Sequence, residues 1–173
     1  MELSLIFMKR FKDTVERILH VPGNFTGPVL EMAVVLDGSL SRDVVSDVVP
    51  QLLGSLKRHS EVFRNVRLNV VNWKSDERID TEVRPLSVVM LNSFYDGYEQ
   101  EKVNKHFEAL VAYLKMFQAR SKVILLITDG KYQVENEDTL EISMRPFLEK
   151  KLLQVIVTEQ GEAEVRYRFQ RTI

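Results

Sequence analysis

Two apolar runs constrain this chain more than anything else in it. Val29 to Leu36 is almost entirely apolar and rich in valine, and Val123 to Thr128 is a second such run; the first stops on Asp37-Gly38, the second on Asp129-Gly130. A strand that is apolar on both faces must be covered on both faces, which is the habit of parallel sheets flanked by helices. Between and after these runs the helical period takes over. Val45, Val48, Val49, Leu52, Leu53 and Leu56 recur at helical spacing, and Val103, Phe107, Leu110, Val111, Leu114 and Phe117 form the clearest helical stripe in the chain. Strands alternating with helices in this way predict an α/β fold: a mostly parallel, doubly wound sheet in three α/β/α layers.

The remaining segments fill in that outline. Phe7, Phe11, Val15, Ile18 and Leu19 predict an amphipathic first helix that stops at Pro22-Gly23. Its polar face mixes both charge signs, so it reads as packed on the domain and not as a membrane anchor. Residues 1–26 are taken as this extension and 27–173 as the domain proper. Pro50 is expected to kink or restart the second helix. Val66 to Trp73 and Ile79 to Val83, separated by the polar turn Lys74-Ser75-Asp76-Glu77, predict an antiparallel hairpin and hence one antiparallel edge strand. Ser87 to Leu91 reads as a short strand or a helix start. A broken helical pattern through Leu140, Met144, Phe147 and Leu148 leads to the apolar run Leu152 to Val157, and Val165, Tyr167 and Phe169 alternate with polar residues as a closing strand.

Charge and composition exclude several classes of function. Twenty-four Lys plus Arg against 25 Asp plus Glu leave a formal charge of −1, without the basic excess expected of a nucleic-acid-binding domain. The absence of cysteine removes disulfides, thiolate metal sites and a thiol nucleophile, and makes a reducing compartment the simpler expectation. No apolar run approaches the roughly 20 residues of a membrane span, and the first ten residues lack the order of a secretory signal. The expected location is the cytoplasm.

In an open sheet the ligand site lies beyond the carboxyl ends of the strands, where strand order reverses. Asp37 and Asp129 end two buried strands and are therefore candidates to face one another across one crevice. Around the first, Asp37-Gly38-Ser39-Leu40-Ser41 offers an oxygen at every second residue. Two carboxylates and two hydroxyls suit a hard cation such as Mg²⁺. Taken singly, each motif also has a plain structural reading: Asp-Gly-Ser is a common turn, and Ser41 suits the N-cap of the following helix.

This pattern resembles the von Willebrand factor A family, whose metal-ion-dependent adhesion site is written Asp-x-Ser-x-Ser after the first strand, with an aspartate after a later central strand, often in Thr-Asp-Gly. Asp37, Ser39 and Ser41 match the first element and Thr128-Asp129-Gly130 the second, over roughly residues 27–173. The resemblance implies a Rossmann-like fold and adhesion without catalysis. In it Ser39, Ser41, Asp37 and Asp129 hold Mg²⁺, directly or through water, while an aspartate or glutamate of a partner protein fills an open coordination position. The chain departs from the family in three places. Asn92 to Gln100 carries no threonine where the family supplies one; Gly97 matches the loop glycine and puts Tyr98 at the ligand position, with Ser93 and Asp96 as alternatives. Leu40 stands where a glycine is common, and Arg42 where methionine is.

Three functions follow as expectations: a protein-interaction domain assisted by Mg²⁺, a metal-independent scaffold of the same fold with a vestigial site, and a Mg²⁺-dependent phosphohydrolase of the haloacid dehalogenase type. The last requires an aspartate two positions after its nucleophile to protonate the leaving group. Ser39 stands there. His20, His59 and His106 are dispersed and read as surface or boundary residues. Trp73, Phe94-Tyr95 and Tyr98 are candidates for a partner surface, with core packing the plainer reading of Trp73. Arg166, Arg168 and Arg171 read as a solvated strand face.

Overall fold

The computed structural model describes residues 4–19, 30–57, 66–85, 98–117, 121–147, 152–157 and 163–166. Helix α1 (Leu5–Leu19) is followed by β1 (Leu30–Asp37), α2 (Arg42–Lys57), β2 (Val66–Trp73), β3 (Ile79–Pro85), α3 (Phe107–Leu114), β4 (Ser121–Thr128), α4 (Glu137–Met144), a 3-10 turn (Arg145–Phe147), β5 (Leu152–Val157) and β6 (Ala163–Arg166). The strands described form one sheet in the order β3-β2-β1-β4-β5-β6, the order of Rossmann-type sheets. β1 lies at its centre, parallel to β2 on one side and to β4 on the other. The strand order therefore reverses beside β1, and both Asp-Gly tips fall at that reversal.

Alternation along the central strands divides the core. Met32, Val34, Leu36, Val123, Leu125 and Ile127 pack with Phe11 of α1 and with Val45, Val48, Val49 and Leu52 of α2. Ala33, Val35, Ile124 and Leu126 pack with Phe107, Leu110, Val111 and Leu114 of α3 and with Leu140 and Met144 of α4. Alternate residues of β1 and β4 thus fall into two buried clusters, one shared with α1 and α2 and the other with α3 and α4.

Both edge strands run antiparallel. β3 pairs β2 as the predicted hairpin. β6 also runs antiparallel, against β5, where the sequence led us to expect a single antiparallel edge strand. Only five residues separate Val157 from Ala163, and a parallel crossover needs a dozen or more. The stripe assigned to a helix from Val103 is also shortened. Val103 is 44% exposed and precedes α3, because the chain at His106 is extended and bridges Gln133 before the helix begins. Pro50 does not restart α2, which runs through it, with the Gln51 side-chain amide donating to the Asp47 carbonyl at 2.7 Å.

Among the described residues no helix is long and apolar enough to cross a membrane. The segment Ser87 to Leu91, the loop Asn92 to Gly97 with Phe94, Tyr95, Ser93 and Asp96, and the residues His20, His59, Tyr167, Arg168, Phe169 and Arg171 lie outside the described residues.

Candidate functional site

The backbone brings the two tips together. Leu36 is in register with Ile127, which sets Asp37 beside Thr128 at the carboxyl end of the sheet. Gly38 then turns under the end of β2, its N–H donating to the Trp73 carbonyl at 2.9 Å. A Cβ at Gly38 would meet that carbonyl oxygen at 3.1 Å and Lys74 Cα at 3.2 Å, a crowding that favours glycine where the two backbones approach. After β4, Gly130 takes φ 77°, and its N–H donates to Thr128 Oγ1 at 3.0 Å. The second Asp-Gly thus turns the chain through a left-handed residue.

Asp37 is fully buried, and both of its carboxylate oxygens are engaged. Oδ1 accepts from the Ser39 N–H at 2.9 Å, from Ser39 Oγ at 2.8 Å and from the ammonium of Lys105, while Oδ2 accepts from Thr128 Oγ1. Ser39 Oγ also lies 3.2 Å from Asp129 Oδ2, so one hydroxyl spans the two tips. Asp129 is half-buried and accepts the Lys131 N–H through Oδ1. Ser41 serves the helix: its Oγ accepts the Val44 N–H at 3.2 Å as the N-cap of α2. Ser41→Ala is expected to lower the unfolding free energy by about 1 kcal/mol in urea denaturation, the usual cost of a lost cap.

Tyr98 does reach the site, though it approaches the backbone and not the acids. Its phenol donates to the Leu40 carbonyl at 2.7 Å and lies 3.1 Å from the Asp37 carbonyl, pinning the loop from above. Burial, and then the charges of Asp37 and Asp129, push that phenol well above its ordinary range. It is a neutral donor at any physiological pH. Gln100 completes the roof by donating to the Ser39 carbonyl at 2.9 Å.

Lys105 is the residue that sequence reasoning missed. It is 2% exposed, and its ammonium contacts Asp37 Oδ1, the Trp73 carbonyl at 3.2 Å and the Trp73 ring at 4.6 Å from the centroid. A buried ammonium is costly unless its charge and its protons are met; here a carboxylate, a carbonyl and an aromatic face meet them. Its backbone is held on both sides, for Gln133 N–H donates to the Lys105 carbonyl and Phe107 N–H to the Gln133 carbonyl, each at 2.9 Å. One position on, His106 is fastened to the β2–β3 turn: its N–H donates to Asp76 Oδ1 at 2.6 Å, and its Nδ1 lies 2.8 Å from Asp76 Oδ2. Nothing local marks this lysine among the chain's 24 basic residues.

The hydrogen bond to Asp76 raises the His106 pKa above 6.5. For Asp76, partial burial pushes upward, but the His106 bonds outweigh it and leave the carboxyl below 3.8. A raised histidine contributes stability fully below its unfolded pKa and loses it as pH rises through the folded one; a depressed carboxylate loses its contribution as pH falls through its folded value. The clasp is therefore complete between pH 3.8 and 6.5. Proton NMR titration of His106 is expected to show a midpoint above 6.5 that drops toward 6.5 in Asp76→Asn. An unmoved midpoint would contradict the pairing.

A cavity of about 320 Å³ opens above the site. Ser39, Ser41, Gln100, Asn104 and Asp129 line it together with Lys102, Lys105 and Lys131, and Leu40, Val44, Val103 and Val157 form its apolar wall. Of the expected site residues, Asp37, Ser39 and Asp129 converge within hydrogen-bond reach, and Ser41 lies on the cavity wall.

As arranged, these residues do not fit a divalent cation. Asp37, the deepest carboxylate, is saturated by Lys105, Ser39 and Thr128. An ion seated on Asp37 would have to displace the Lys105 ammonium, which is enclosed there with its carboxylate. Among the described residues, no group of three or more His, Asp or Glu could hold a metal ion. No protein-family model and no curated protein matches the chain.

Proposed function

We propose that the chain is a von Willebrand A-like interaction domain, three-layered and doubly wound, that works in the cytoplasm and receives an aspartate or glutamate side chain of a partner protein, without a divalent metal, in the cavity lined by Ser39, Lys102, Asp129 and Lys131. The observation that carries this reading is Ser39 Oγ spanning Asp37 and Asp129 at the floor of a cavity that sits at the reversal of strand order. Packing of helical stripes on both sides of β1 and β4 supports the layered arrangement. The cavity lining carries three lysines, Lys102, Lys105 and Lys131, and one carboxylate, Asp129, and Lys105 is paired with the buried Asp37. A carboxylate entering there gains charge and the apolar wall together.

The phosphohydrolase alternative requires in-line access to a nucleophilic carboxylate. Asp37 is wholly buried and accepts hydrogen bonds at both oxygens, which favours the interaction reading.

Selection of random peptides on the protein tests the proposal. Enrichment of acidic residues is expected, with binding weakened at least about tenfold in Lys102→Glu and in Lys131→Glu. Peptides without acidic residues, or binding unaffected by both charge reversals, would overturn it. Turnover of p-nitrophenyl phosphate that disappears in Asp37→Asn would favour the hydrolase.

A further inference from the structure

The structure assigns the Lys105 ammonium as the resident cation of the crevice: the protein's own side chain takes the place in which the resemblance puts a divalent metal. This deepens the proposed reading, on which it rests for the comparison with adhesion sites, but its physical content is independent of any partner.

Three observations converge on Lys105. Its ammonium lies on Asp37 Oδ1, the oxygen that also gathers both donors of Ser39. It is enclosed, with Lys105 2% exposed and Asp37 fully buried, so the pair is shielded from exchange with solvent ions. And it is placed by construction. The Trp73 carbonyl and indole face hold the head of the side chain, while Gln133 and Asp76 fix the backbone at residues 105 and 106. A surface lysine that happened to reach the acid would have neither the enclosure nor the held backbone.

A tethered cation differs from a bound ion in three ways. It is present whenever the domain is folded, it cannot be removed by a chelator, and it carries one charge where a metal carries two. The single charge is matched by the Asp37 carboxylate on which it lies, while Asp129 lines the cavity. The crevice is consequently a permanently closed electrostatic unit, and recognition at its mouth is expected to be indifferent to divalent metals.

Calorimetric titration of the wild-type protein with Mg²⁺ and with Mn²⁺ tests this directly, together with thermal unfolding of Lys105 variants. No stoichiometric heat is expected from either metal into the millimolar range; saturable heat at one equivalent overturns the inference. Lys105→Met strands the Asp37 carboxylate in the core and is expected to lower Tm by about 6–20 °C. Asp37→Asn/Lys105→Met, in which both charges are gone and the acceptor oxygen remains, is expected to recover at least about half of that fall. If Lys105→Met does not fold, the double variant still should. A single variant as stable as wild type, or a double variant no more stable than the single, overturns the assignment, since the lysine would then act by packing and not as a counter-charge. These readouts involve no partner, so loss of peptide binding with the charge pair intact would count against the function and leave this assignment standing.

Discussion

Asp37→Ala is expected to destabilise the protein by about 3–5 kcal/mol, the cost of leaving one member of a buried ion pair without the other. Such a loss is a large fraction of the roughly 5–15 kcal/mol that holds an ordinary domain together, and the variant should be partly unfolded at moderate temperature. The substitution strands the Lys105 ammonium and takes the acceptor from Thr128 Oγ1, while Ser39 Oγ keeps Asp129 as an acceptor. Asp129→Ala provides the contrast. That carboxylate is half-buried in the cavity lining, where it accepts from Ser39 Oγ and the Lys131 N–H, and its removal is expected to cost only about 1 kcal/mol. Urea denaturation of the two variants side by side checks the prediction. Equal losses would mean that the two tips are energetically alike, against the burial seen here.

Trp73→Ala is the second large effect, at about 3–5 kcal/mol by loss of buried surface and creation of a cavity. Trp73 is fully buried at the end of β2, with ring centroids 6.1 Å from Phe107 and 5.6 Å from Tyr132, and its face is the wall against which Lys105 lies. Its position ties the aromatic cluster of α3 to the charge pair, so Trp73→Ala and Asp37→Ala share a partner. Their losses should combine by less than the sum. Trp73→Phe, which keeps an aromatic face for the ammonium, is expected to lose much less than Trp73→Ala. As the chain's single tryptophan, Trp73 reports unfolding by its own fluorescence in the wild-type protein, and the variants are followed by circular dichroism.

The plain core reading of Trp73 is thus the one that the structure bears out. The same holds for Ser41 as a helix cap. His106 was legible as a boundary residue, but its partner was not, since Asp76 lies 30 positions earlier on a different turn.

What the sequence determined by itself is local in origin. Apolar runs of strand length ending on Asp-Gly, helical stripes between them and a polar four-residue turn specified the central strands, most of the helices and the β2–β3 hairpin, because burial on two faces, on one stripe or on alternate residues writes itself into the period of the chain. The direction of β6 was decided by the shortness of the chain between it and β5, and the start of α3 by an extended bridge from His106 to Gln133, neither of which leaves a periodic trace. The charge balance of the crevice belongs entirely to the tertiary structure. Asp37 and Lys105 stand 68 residues apart, and an ion pair at that separation has no spacing rule. Its existence depends on β1, β2, β4 and the entry to α3 meeting at one end of the sheet, where exclusion of water makes a single ammonium a strong partner for a single carboxylate.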